Sequence, residues 1–256
     1  ALTAYSTNTL INRSTVTAPV SGYAVSMNSL SSSTILGSDL RGPSGLLVVA
    51  STGVTVGGSV VTATNTTGSA VIVTGGSVNL TLATSTFAGG PSGIGLALDP
   101  GLNGLISVGS VTFTAAARGM TVSTGAAGYA LAVDSVTFRG LSSGATAIHF
   151  LGGTIVSTIN LANFEDASVA VNVSGAALSL ASRITMNAHS GARTNPTYEN
   201  DINSLVDWQG YAPYIGCVAG RNVGAGQPFA TIQAGVNALP TTLTGHSCVV
   251  IRDTAT

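Results

Sequence analysis

Along most of the chain, apolar residues occupy alternate positions in short runs, and each run ends in Gly, Ser, Asn or Thr. Tyr23, Val25 and Met27 form one run, Leu46 and Val48 the next, then Val71 and Val73, Ile94, Leu96 and Leu98, Met120 and Val122, and finally Val169, Val171 and Val173. A period of two is that of a strand buried on one side. These runs follow a ladder of small turn residues, Gly22, Gly45, Gly68, Gly93, Gly119, Gly144 and Ser168, whose rungs are nearly evenly spaced. The Gly144 rung slips by one position, which makes Ile148 and Phe150 its inward pair. Each interval contains a second run, as in Val54/Val56, Val78/Leu80/Leu82, Ile106/Val108, Leu131/Val133 and Leu178/Leu180. A third run holds Val111/Phe113, Val136/Phe138 and Ile184/Met186.

Phenylalanine itself recurs at Phe87, Phe113, Phe138 and Phe164, at nearly equal gaps that match those of the glycine ladder. A repeat of this length marks a solenoid or an array, and three short strands per repeat predict a parallel β-helix. Coils in such a fold stack about 4.8 Å apart, so equivalent inward residues form columns and the phenylalanines form one of them. Seven to eight coils are expected, and seven make a rod of roughly 30–35 Å at that spacing. A helical solenoid is opposed by the 33 glycines and the Thr/Val bias. A β-sandwich shares the alternating strands but has no reason to keep phenylalanine in register.

Composition narrows the function classes. Only 7% of the 256 residues are charged, none is lysine, and the formal net charge is -1. There is no field to attract nucleic acid or anionic lipid. No apolar stretch is long enough for a membrane helix, and aromatics, at 5%, are scattered rather than gathered into the girdles of a membrane barrel. The solenoid is expected over 1–192. Beyond it, "ARTNPTYENDINSLVDWQGYAPYIG" concentrates the only Trp and three of the six Tyr, which suits a cap over an open solenoid end. Residues 193–226 are therefore expected to be cap and linker, with Trp208 and Tyr211 as the plug.

Next, "QPFATIQAGVNALP" places Phe229, Ile232, Val236 and Leu239 on one face of a helix that Pro240 ends, and the strand-like "CVVI" follows. Together, "PFATIQAGVNAL" and "CVVIRD" resemble the opening segment of right-handed parallel β-helix proteins of the pectate-lyase-like superfamily. By motif, the resemblance is confined to this last segment; the earlier coils resemble the family only in period and texture. It implies a capping helix and a first strand over 227–256, belonging to a following or neighbouring β-helix. It thereby implies a repeat unit of a bacterial-type surface or extracellular protein. Two arrangements fit: a unit of a tandem array, or subunits joined head to tail. Cys217 and Cys248 are the only cysteines, and a disulfide and two buried thiols both fit their placement.

Candidate chemistry is sparse. Polysaccharide-cleaving β-helices need clustered carboxylates or bound calcium with a base. Here Glu165 and Asp166 are adjacent, and Arg139 follows Phe138 as Glu165 follows Phe164, so Arg139 and Glu165 are expected to stack across one coil step. The structural reading is a surface ion pair. The catalytic reading makes Glu165 or Asp166 the acid and Arg139 a substrate clamp, with Asp134 and Arg118 on neighbouring coils. The Asn-Thr-Asp, Asp-Asp, Gly-His-Gly and Arg-Ile-Lys motifs of polygalacturonase relatives are absent. His149 is expected to point outward between Ile148 and Phe150, His189 and His246 fall in expected turns, and no pair has metal-ligand spacing. No cofactor motif occurs. The sequons at Asn12, Asn65, Asn79 and Asn172 matter only in a glycosylating host. The Thr-x-Thr pairs Thr15/Thr17, Thr62/Thr64 and Thr112/Thr114 are not expected to align on successive coils. The sequence thus reads as a non-enzymatic structural protein, extracellular or at the cell surface, partnered by copies of itself. A β-helix that binds or cleaves surface glycans is the alternative.

Overall fold

The computed structural model describes residues 2–5, 7–123, 130–179, 181–190, 199–201, 206–208, 217–224, 227–243 and 246–251. Strands of successive repeats stack into three parallel sheets, two of nine strands and one of eight. In the fifth coil the first face holds Ile94–Leu98, the second Asn103–Gly109 and the third Thr112–Thr114, after which the chain returns to the first face one rung on, at Arg118–Ser123. This is a parallel β-helix. Eight full turns are described, and Glu199–Asp201 and Val206–Trp208 add ninth rungs to two faces. Strand stacking therefore continues past residue 192. Trp208 takes the register position of Met186, and Tyr211 lies outside the described residues.

Inward columns form the core. On the third face Leu40, Val61, Phe87, Phe113, Phe138 and Phe164 are fully buried, one per coil. The rings of Phe113 and Phe138 stack at 5.0 Å and 12°, those of Phe138 and Phe164 at 5.5 Å and 13°. Opposite this column, the first face presents only small residues: Ala24, Gly45, Ala70, Gly95, Gly119, Ala147 and Ala170. A Cβ at Gly95 would come within 2.7 Å of the Phe113 ring, and one at Gly119 would run into Phe138. The glycine ladder is thus only partly a turn signal. Gly22 and Gly144 do have positive φ, +81° and +77°, whereas Gly45 and Gly119 are spacers that admit the bulky column.

Two further departures have physical causes. In the eighth coil, Ile184 and Met186 lie on the second face, in Arg183–Met186, rather than on the third. The first-face strand there runs from Val169 to Leu178, with register shifts in the two pairings that lead to it, so the corner comes later and the runs after it fall one face earlier than expected. Leu180 lies outside the described residues. Likewise His189 and His246 open strands, His189–Ser190 and His246–Ile251, rather than sitting in turns.

Buried serines close the corners. Between the second and third faces one left-handed residue turns the chain: Arg13, Gly37, Gly58, Thr84, Ser110 and Ser135 all have φ between 47° and 56°. The next residue points inward, and in the first four coils it is Ser14, Ser38, Ser59 and Ser85. The Ser14 amide donates to Ser38 Oγ, that of Ser38 to Ser59 Oγ, and that of Ser59 to Ser85 Oγ, at 3.1–3.2 Å. Each hydroxyl donates to a carbonyl of its own corner, Ser59 to Gly57 at 2.9 Å and Ser85 to Ala83 at 2.7 Å. Tight corners leave backbone groups that the ladder cannot reach, and the hydroxyls satisfy them inside the rod. Val111 and Val136 replace serine in the next two coils.

The C-terminal segment forms a fourth sheet, Cys217–Val223 paired in parallel with His246–Ile251. The intervening helix is shorter than the apolar spacing suggests, Ile232–Asn237, because Phe229 bridges to Val223 in extended form and Thr231 caps the helix, its Oγ accepting from the Ala234 amide. The buried face also differs. Gly235, lacking a Cβ, lets the helix approach Val223 and Val249, while Ile232 and Val236 remain exposed and Phe229 and Leu239 are half-buried.

Candidate functional site

Polar side chains collect at two places on the outside of the rod. The first is the corner after the third strand of the sixth and seventh coils. Parallel stacking of Phe138 on Phe164 sets the next residues one above the other, and the pair expected across this step forms. Arg139 Nε donates to Glu165 Oε2 at 2.8 Å and Nη2 to Oε1 at 3.4 Å. Asn163 Nδ2 donates to Glu165 Oε1 at 2.7 Å. The Gly140 amide, in a left-handed residue, donates to Asp166 Oδ2 at 2.6 Å. Glu165 is thus held by a guanidinium and an amide, while Asp166 ties the preceding coil's backbone. Asp134 lies at a different corner, at the end of a second-face strand, and Arg118 opens a first-face strand. The corner is a clasp between coils, with one side exposed: the Arg139 side chain is 62% accessible.

The second place was not singled out in the sequence. On the first face the central outward column reads Leu47, Ile72 and Ala97 in coils three to five, then turns polar as Thr121, His149 and Asn172. His149 holds the outward register expected of it, yet it is only 9% exposed, and Thr121 only 3%. Burial, and to a lesser degree the positive charge of Arg118, holds the His149 imidazole below its ordinary pKa. Nearby in the fold, burial raises the Asp99 carboxyl. The signal was present: each of Thr121, His149 and Asn172 follows an inward residue, Met120, Ile148 or Val171, of the regular ladder. What hid the column is that outward polar residues of a solenoid are ordinarily solvated.

Among the described residues no group of His, Cys, Asp and Glu is arranged to hold a metal ion, and no helix is long and apolar enough to cross a membrane. Cys248 is disulfide-bonded, and Cys217 is the only other cysteine of the chain. Thr86, Thr112 and Thr137, each one residue before a column phenylalanine, form one third-face column, whereas Thr62 stands between Arg41 and Ala88.

No protein-family model matches the chain, and no curated protein matches it. Among solved structures it is similar to pectate lyase Pel9A, with 9% identity and a TM-score of 0.43 over 73% of this chain, and it spans 57% of that chain. It is also similar to an alginate lyase from Paenibacillus sp. str. FPU-7, with 10% identity and a TM-score of 0.41, covering 75% of this chain and 79% of that one. Neither likeness bears on activity. The class is defined by the three stacked sheets: the chain is a parallel β-helix protein.

Proposed function

We propose that this protein is a structural module, an uncharged β-helical rod that works outside the cell or on its surface as a repeat unit or head-to-tail subunit of a fibre, sheath or adhesin. The observation that carries this reading is the placement of exposed apolar side chains. Among the described residues, eight of thirteen large ones lie in the first coil or the C-terminal unit: Leu2, Tyr5, Leu10 and Val20 in the one, Ile232, Val236, Leu243 and Ile251 in the other. From position 227 to 251 there is no Asp, Glu, Lys or Arg, and from position 1 to 22 Arg13 stands alone. Two uncharged segments with exposed apolar side chains suit strand addition, and an interface between unlike surfaces that does not close builds a filament.

The test is negative-stain electron microscopy over a concentration series. Filaments with a regular axial repeat, lost in Ile232→Asp/Val236→Asp, are the expected result; separate rods at every concentration would overturn head-to-tail assembly.

A second reading, recognition or cleavage of a surface glycan, is favoured by the outward polar column of buried Thr121 and His149 and half-buried Asn172, together with the Arg139–Glu165–Asp166 corner. Glycan binding or release of reducing sugar that is lost in both His149→Ala and Glu165→Ala supports it. Absence of any such signal from the wild-type chain on a broad glycan array removes it.

A further inference from the structure

We infer that the disulfide at Cys248 is a latch that arms the C-terminal unit only under oxidising conditions. The inference rests on the head-to-tail reading above for its consequence and names the regulation of that docking element.

The unit has little else to hold it. Among the described residues its two strands pair with each other and, at Val223 alone, with Phe229; they pair in parallel across a long crossover, and two-stranded sheets are marginal in water. Among the described residues its buried apolar side chains are Val223 and Val250, with Gly235 wedged between helix and strands. Arg221 Nε adds one bond, to the Ala238 carbonyl at 2.9 Å. Folding units of this size ordinarily need a crosslink. The rod, in contrast, has eight turns of continuous core and contains no cysteine before Cys217. Reduction therefore acts on one part of the molecule alone.

The chemistry balances with a dithiol as reductant. Its thiolate attacks one sulfur of the disulfide, the other cysteine leaves as thiolate, and the second reductant thiol closes on the mixed disulfide. Two cysteine thiols and a cyclic disulfide result, with two electrons and two protons transferred from the dithiol. In a reducing compartment the unit opens and the face carrying Ile232 and Val236 is not presented. After export to an oxidising one, the crosslink forms and the face is assembled. The arrangement keeps subunits apart where they are made and lets them join where they are used.

The test is hydrogen exchange on the full chain with and without dithiothreitol, read beside filament formation. On reduction, amides of Ala219–Val223 and Ser247–Ile251 are expected to lose protection about 500-fold, from the chain entropy a closed loop of this length removes, while those of Leu131–Val133 and Ile148–Phe150 stay unchanged. Cys248→Ser in oxidising buffer should reproduce the reduced pattern, and reoxidation of the wild type should restore protection. Full protection of 219–223 and 247–251 in the reduced chain overturns the latch. A redox-dependent loss of protection in a chain that never forms filaments supports the latch and overturns the docking reading instead.

Discussion

Phe138 tests the packing argument most directly. Its ring is fully buried, stacked between Phe113 and Phe164, and faces Gly119 across the rod. Truncating a buried phenylalanine costs about 3–5 kcal/mol, and each aromatic pair adds roughly 0.5–1.5 kcal/mol beyond its buried area. Phe138→Ala removes two stacked pairs. Phe87→Ala removes one ring contact, the edge-on pair with Phe113 at 5.9 Å, beside the aliphatic Val61. Phe138→Ala should therefore sit at the upper end of the range and exceed Phe87→Ala by about 1 kcal/mol. The assay is urea unfolding followed by far-UV circular dichroism, comparing midpoints at constant m. Gly119→Ala supplies the cross-check. Alone it forces a Cβ against the Phe138 ring and should cost about 1–3 kcal/mol; in the Phe138→Ala background the same Cβ enters the vacated space, so the double mutant should be more stable than the sum of the two. Equal losses at Phe87 and Phe138, or additive behaviour of Gly119 with Phe138, would refute the account of the glycine ladder as room for stacked rings.

Other positions give sharper contrasts. Ser59→Ala leaves the Ser38 amide without its acceptor inside the rod and should cost about 1–3 kcal/mol in the same unfolding assay. Ser157 does the opposite: its Oγ is buried with no hydrogen-bond partner among the described residues, in a column between Leu131 and Ile184, so Ser157→Val should raise stability by about 1 kcal/mol. Arg139→Ala should change stability by only about 0–1 kcal/mol, since its partner site is solvent-exposed. For pH, the lowered imidazole of His149 means the unfolded chain takes up the proton first, so its contribution is intact above about 6.5 and is lost as pH falls from there through the folded value. Asp99 works in reverse: its raised carboxyl costs stability as pH rises above the ordinary 3.8, so Asp99→Asn should raise the thermal midpoint at pH 7 and leave it unchanged at pH 3.

The inward columns were legible because a parallel β-helix repeats one side chain per coil, and phenylalanine is rare enough here for its register to stand out. The Arg139–Glu165 pair was legible for the same reason, being fixed by the register of the phenylalanines before it. Serine was not. Ser38, Ser59 and Ser85 look like turn residues in a chain full of them, and only the corner geometry shows their hydroxyls facing inward to backbone amides. Glycine carried two meanings at one spacing, turn at Gly22 and Gly144 and spacer at Gly45 and Gly119. Apolar periodicity names a stripe on the helix but not its partner: Gly235, which the stripe leaves out, makes the close contact with the unit's own strands, while Ile232 and Val236 stay outward. The His149 column was hidden because an outward register ordinarily means a solvated side chain, and periodicity alone does not show that Thr121 and His149 are buried.

The low charge is intelligible from these same features. A rod whose corner amides are met by internal hydroxyls and whose strands are paired on both sides has little need of surface ion pairs such as Arg41–Asp39 and Arg139–Glu165. The consequence falls on the ends. Strand edges are ordinarily guarded by charge, lysine above all; this chain has no lysine, one arginine in its first coil and no charged residue from 227 to 251. The middle coils expose Leu36, Val60, Leu105, Val156 and Leu161 singly among Thr, Ser, Asn and Gly, whereas the exposed apolar side chains of the first coil and the C-terminal unit are gathered with little charge beside them. On the proposed head-to-tail reading, that asymmetry would favour growth along the axis over lateral clumping, and the disulfide at Cys248 would be a place where assembly is controlled without adding charge.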